Sequence, residues 1–416
     1  MYWILTVLFM ILTSIIGYYL EKKIGLLSCY GILWAIVTFL CGLNLYDLYP
    51  YSNKVYGIVC LGGLAITIGY ILAYKIHVKR IKFTKIKNME FNKTIIIGLL
   101  IFSLVFYFIQ FIKVYKLMRS GIPLSIIRYS YYTQGKIMND FETIISSWIT
   151  TPIVYYLIIP INIWNYLNNK GKDKIVILIL SLIDISLFLF VSQAKQNLIY
   201  YFLSFIISIN QFGLNKDTKR KIYKIILLVC CIVFVLNGIR SGKFTLSFIY
   251  SYVGTSMSLL DNWTSYVQQN NLIGNGAAAL YGIINIPLSI LKVFHINSPQ
   301  NIQEIGNNLS FMISKGVEVF KGVGPRNNVY VTNYLFFYYD ARYWGVFIES
   351  LIYGLFIGYM TQIFKFDNKS TYMKACYNII GVGFLYSCIS WAFFNTAYCM
   401  SFILLRICCT HVKIKQ

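Results

Sequence analysis

Carboxylates are scarce in this chain, 14 Asp and Glu against 37 Lys and Arg in 416 residues, so each one is informative. Two of them lie in the stretch Arg326 to Met360, which turns from polar and aromatic to apolar. Asp340 stands at the turn, and Glu349 sits roughly two helical turns into the apolar run. A hydroxyl that is to attack needs a base, or an acceptor that orients it. Asp340 is the first candidate for that catalytic role, Glu349 the second and Asp261 the third. Asp340 reads equally well as a partner for Arg342 or as the cap of the helix that follows.

The cations carry a second signal. Arg128 lies in a short amphipathic run after the Gly121-Ile122-Pro123 break, Lys195 in a tight turn between two apolar runs, and Arg240 in Gly238-Ile239-Arg240-Ser241-Gly242. Arg326 opens the polar stretch, with Asn328 and Tyr330 close behind it. Guanidinium and ammonium groups at the ends of apolar runs suit an anionic ligand at a membrane surface, and a lipid-linked diphosphate fits. Any one of them also fits simple snorkelling to headgroups; the set favours a ligand.

The elements that must hold these groups are membrane helices. The composition is 58% hydrophobic and 12% charged, about half the charge of a soluble domain, and the mean hydropathy is +0.64. Repeated apolar runs predict an all-α, polytopic transmembrane bundle of about 11 spans, range about 10 to 12. They fall near 2–20, 24–46, 55–76, 94–112, 144–166, 175–191, 198–212, 225–238 and 343–364, with two short spans in 375–409 that turn near Asn395. The fifth is expected to bend at Pro152 and Pro160. Residues 1–240 form the first eight spans, 241–327 one large extracytoplasmic loop of short interfacial helices, and 328–416 the polar stretch with the last spans. The run 277–294, with Pro287 and Lys292, reads as interfacial or re-entrant.

Orientation follows from the compact basic loops after the first, third, fifth, seventh and ninth spans. They place the N-terminus and the large loop outside and the C-terminal lysines inside. The net charge of +23 is thus spent on topology, and nucleic acid is not an expected partner. The ten cysteines lie in or beside apolar runs, and the three histidines form no cluster, so no metal site or cofactor is expected. The aromatics Tyr250, Tyr252, Trp263, Tyr266, Tyr330, Tyr334, Tyr338 and Tyr339 are of the kind that stacks on sugar faces, and of the kind that forms interface belts.

One set of residues resembles a known family. The run Asn328-Val329-Tyr330-Val331-Thr332, then Tyr338-Tyr339-Asp340, then Gly345 before a Gly-rich span, is similar to the C-terminal signature of bacterial oligosaccharide repeat-unit polymerases of the O-antigen polymerase (Wzy) type. Val331 interrupts that pattern, and Ala341-Arg342 stands where the family has Phe-Gly. The resemblance implies a multi-pass protein of the bacterial inner membrane. Its substrate would be an undecaprenyl-diphosphate-linked oligosaccharide, polymerised on the outer face into O-antigen or capsular polysaccharide without a metal or nucleotide sugar. It also implies membrane lipids and a chain-length regulator as partners. Arg128, Arg240 and Arg326 match the family's substrate-binding arginines, and Lys195 stands where some relatives carry Arg. A ligase for the same glycan, or a flippase for the same lipid-linked oligosaccharide, are the alternatives.

Overall fold

The structure, a computed structural model, describes residues 2–75, 89–122, 126–127, 137–192, 196–212, 217, 220, 250, 253–296, 299–322, 331–366 and 370–411. These residues are helical apart from their connections and one pair of three-residue strands. The helices are α1 (Tyr2–Glu21), α2 (Leu26–Gly42), α3 (Lys54–Lys75), α4 (Lys93–Arg119), α5 (Asp140–Asn168), α6 (Gly171–Ser192) and α7 (Gln196–Gln211). After them come α8 (Ser256–Gln269), α9 (Tyr281–Val293), α10 (Gln300–Ser314), α11 (Thr332–Phe366), α12 (Thr371–Leu385) and α13 (Thr396–Cys408).

Six of these, α1, α3, α4, α5, α6 and α11, are long and apolar enough to cross a bilayer. The protein is therefore a multi-pass membrane protein with an all-α bundle. α2, α7, α12 and α13 have 17, 16, 15 and 13 residues. Spanning the hydrocarbon takes about 20 residues at 1.5 Å each. The expected eighth span, 225–238, lies outside the described residues. α1 turns its apolar residues outward, with only 22% of its apolar window buried, whereas α5 is central at 67%.

α3 and α11 form the tightest pair, and small residues explain it. A Cβ on Gly354 would lie 2.2 Å from the Ile66 carbonyl oxygen, and one on Gly69 2.2 Å from that of Leu351. Gly354 and Gly358 are four apart, so one bare stripe of α11 lets the two backbones touch. In lipid, where apolar burial does not drive helices together, such close packing is what joins them.

α5 changes its helix type around Pro152. It opens with an Asn139–Glu142 capping box. Its middle is π-helical over Ser146–Thr150 and Pro152–Leu157, and α-helical geometry returns at Ile158. Pro152 has no N–H to give the ordinary ladder, and the wider turn absorbs the defect.

The strands β1 (Met89–Phe91) and β2 (Cys409–His411) pair antiparallel. The Ser370 hydroxyl donates to the Met89 carbonyl. Both ends of the α12–α13 hairpin thus lie at one face, Trp391 and Ala392 of the connection are buried, and Asn395 caps α13. At the other end of the bundle, the α2–α3 connection meets the 253–322 segment through the Leu48–Phe320 bridge and the Lys321 N–H on the Asp47 carbonyl. That segment carries three short helices, α8, α9 and α10, packed on the bundle. α9, with 13 residues and Pro287 inside, is about 20 Å long, too short to cross.

Replacing Gly354 with Ala is expected to push α3 and α11 apart and cost about 1–3 kcal/mol. Gly98→Ala, at a glycine whose added methyl meets nothing within 4 Å, is expected to be neutral or to stabilise by up to about 1 kcal/mol. Thermal unfolding of the two variants in detergent checks the pair.

Candidate functional site

α11 is one helix only by name. Ala341 (φ −152°, ψ 36°) and Arg342 (φ 56°, ψ −133°) break it in two. The first half, 332–340, is wholly buried. The second folds back so closely that a Cβ on Gly345 would lie 2.0 Å from the Phe337 carbonyl oxygen. Neither residue at the break is Gly or Pro, and the left-handed φ at Arg342 costs about 1–3 kcal/mol, a strain that neighbouring contacts must hold in place.

The contacts come from the 274–279 segment. Gly274 and Asn275 donate their N–H groups to the Tyr339 and Asp340 carbonyls, at 3.1 and 3.2 Å. The Asp340 carboxylate, 0% exposed, accepts from the Ala278 N–H at 2.9 Å and the Ala279 N–H at 2.8 Å. These amides belong to the turns leading into α9, so the carboxylate sits where a helix start favours an anion. Gly274 has to be Gly, because a Cβ there would fall 2.1 Å from the Asp340 Oδ1. The Trp391 indole closes the assembly by donating to the Ala279 carbonyl at 2.6 Å.

Glu349 stands beside Asp340 across the break. The two have different tasks. Asp340 is committed to two amides, whereas the Glu349 Oε2 is buried and has no hydrogen-bond partner. Asp340 makes no ion pair with Arg342. The Arg342 Nη2 donates to the Val267 carbonyl at 3.0 Å, and its Nη1 is buried without a partner. The Arg342 guanidinium lies 5.5 Å and the Lys54 ammonium 4.8 Å from the centre of the Tyr338 ring. That ring is a negative face for both. The site therefore holds a Glu349 carboxyl oxygen without a hydrogen-bond partner, beside Asp340, and a guanidinium N–H able to donate to an anion.

More polar atoms are buried and unpartnered nearby in the chain: the Thr332 and Ser350 hydroxyls and both side-chain polar atoms of Asn333. Buried polar groups are nearly always satisfied, so these are groups with spare capacity.

The other sequence candidates fall out as follows. Asp261 is tied to the α2–α3 connection, accepting from the Ser52 N–H at 2.8 Å and hydroxyl at 2.5 Å. Of the aromatics, Tyr334 and Tyr339 are buried and engaged: the Tyr334 and Tyr30 hydroxyls are 2.5 Å apart, and the Asn308 amide donates to the Tyr339 hydroxyl at 3.3 Å. They shape the wall and leave no open face for a sugar. Arg128, Lys195, Arg240, Arg326, Asn328 and Tyr330 lie outside the described residues, as does Tyr252. Sequence reasoning missed Lys54 and the Gly274–Ala279 run. The legible signal in that run was Gly-Asn-Gly-Ala-Ala-Ala, small residues that leave backbone amides accessible.

No family model matches the chain, and no curated protein or solved structure matches it.

Asp340→Ala is expected to strand two buried amides and to lower stability by about 1–3 kcal/mol for each. Glu349→Gln is expected to unfold with the wild type. Unfolding midpoints of the two purified variants check the division of labour.

Proposed function

We propose that the protein is a polymerase of lipid-diphosphate-linked oligosaccharide repeat units, making O-antigen or capsular polysaccharide at the outer face of a bacterial inner membrane. The topology in this proposal has eleven spans, with the 241–327 loop outside. The observation that carries it is the discontinuous helix α11. Its broken end is covered by the 274–279 turns and presents the Asp340 carboxyl held by two amides, with Glu349 against it, one Glu349 oxygen unpartnered, and an arginine beside them. Non-helical backbone at a bundle's core is tolerated where it lines a site.

The reaction is a glycosyl transfer. The hydroxyl oxygen of the incoming unit bonds to the anomeric carbon of the growing chain. The bond from that carbon to the lipid diphosphate breaks, and the diphosphate leaves with the electron pair. The proton of the attacking hydroxyl passes to Glu349, with Asp340 holding the site closed above it. Arg342 supplies a donor for the developing phosphate charge. Arg128, Lys195, Arg240 and Arg326, with Asn328 and Tyr330, bind the rest of the diphosphate and the first sugars. Holding two amphiphiles side by side supplies proximity.

Glu349→Gln, Arg240→Ala and Arg326→Ala are each expected to leave single repeat units on the final carrier, at normal protein level. Loss from Glu349→Gln is expected to reach about 100-fold or more in polymer formed. Electrophoresis of the extracted polysaccharide, beside an immunoblot of the protein, reads this. Wild-type polymer from all three contradicts the reading. Repeat units trapped on the inner leaflet would mark a flippase, and free polymer never joined to its acceptor would mark a ligase.

A further inference from the structure

A second buried acid stands apart from the α11 break. Asp184 lies in the middle of α6, is 0% exposed, and has no hydrogen-bond partner on either carboxylate oxygen. Its depth can be read from two ion pairs on the neighbouring α4. Lys93 pairs with Asp173 at 2.5 Å, and Lys113 with Glu142 at 2.5 Å. The two lysines are about 30 Å apart along the helix at 1.5 Å per residue, the thickness of the hydrocarbon layer. Ser103 lies midway between them and sits against the Asp184 carboxyl. The acid is therefore near the bilayer midplane, facing inward, beyond the reach of snorkelling.

Hydroxyl-bearing residues lie around it on α4, α5, α6 and α7. Ser181 is one turn before it on the buried face of α6. Tyr107, one turn after Ser103 on α4, faces both Asp184 and Thr150. The Tyr107 and Thr151 hydroxyls are 3.0 Å apart. Ser103, Ser181 and Thr150 are at most 1% exposed, and none of their hydroxyls completes a hydrogen bond. Thr150 belongs to the π-helical part of α5, a geometry that recurs at functional sites. The titratable groups facing Asp184 are Tyr107 from α4 and Tyr201 from α7. Tyr155 of α5 packs on Phe188, one turn further along α6. Among the described residues no Lys, Arg or His pairs with the acid.

We propose that Asp184, with the hydroxyls of Ser103, Ser181, Tyr107 and Thr150, is a midplane binding site for a sodium ion, for which protons compete. An isolated carboxylate is costly at this depth, and a bound cation removes the cost. The donors are all hard oxygens, which suit an alkali or alkaline-earth ion. The single carboxylate balances one positive charge, which favours a monovalent ion. The site is independent of the glycosyl-transfer reading and would stand if that reading fell. Midplane ion sites are also the part by which transporters couple substrate movement to a gradient.

The test is thermal unfolding of the full-length protein in detergent, titrated with NaCl against choline chloride at constant ionic strength, at pH 8 and at pH 5. The expected result is a saturable rise in the unfolding midpoint with sodium alone, with the half-saturating concentration at least tenfold higher at pH 5. Asp184→Asn is expected to remove the sodium dependence. Ser103→Ala is expected to keep the fold and raise the half-saturating concentration severalfold, which serves if Asp184→Asn does not fold. Equal midpoints in the two salts at both pH values overturn the proposal and leave Asp184 a neutral structural acid. A sodium response that persists unchanged in Asp184→Asn or Ser103→Ala overturns it as well.

Discussion

The arrangement at the core depends on one interaction, the Asp340 carboxylate on the amides of Ala278 and Ala279. A charged group buried at 0% exposure is tolerable only when its oxygens are satisfied. Here two N–H groups from the turns before α9 satisfy them, and in return those turns are fixed over the broken end of α11. The break, the fold-back at Gly345 and the position of Glu349 follow from that closure. So does the docking of Trp391, which reaches the next carbonyl along, that of Ala279.

This explains why two carboxyl groups so close together behave differently. Asp340 is spent on architecture. Glu349, on the far side of the break, keeps an oxygen free. A helix without the Ala341–Arg342 break would carry residues nine apart on different turns and mostly different faces. The break is what makes them neighbours, and it makes Arg342 a neighbour of the Tyr338 ring as well. Strain stored at such a point is found where a ligand must be met by fixed groups.

Much of the fold was legible in the sequence. Apolar runs gave the long helices, Pro287 marked a helix too short to cross, and Asn395 marked the turn into α13. The bare stripe of Gly354 and Gly358 could be read as a close helix contact. The site was half legible. The scarcity of carboxylates pointed to Asp340 and Glu349, and the break in α11 sets the two side by side. Which of them was free did not show, because the amides that claim Asp340 come from about 60 residues earlier. Spacing along the chain carries no trace of such a contact. The break at Ala341–Arg342 was equally hidden, since no Gly or Pro announces it and the bonds that hold it, from the 274–279 segment and to Val267, are tertiary. The α5 prolines were seen, but a π-helix was not foreseen, because local sequence specifies the missing donor and packing chooses how to absorb it.

The most direct measurement is a cryo-EM structure of the purified protein with an undecaprenyl-diphosphate-linked oligosaccharide bound. The account predicts a sugar hydroxyl within hydrogen-bond distance of the Glu349 Oε2, phosphate oxygens against Arg342, and Asp340 still held by the amides of Ala278 and Ala279. A ligand seated elsewhere in the bundle, with Glu349 facing only protein, would contradict it.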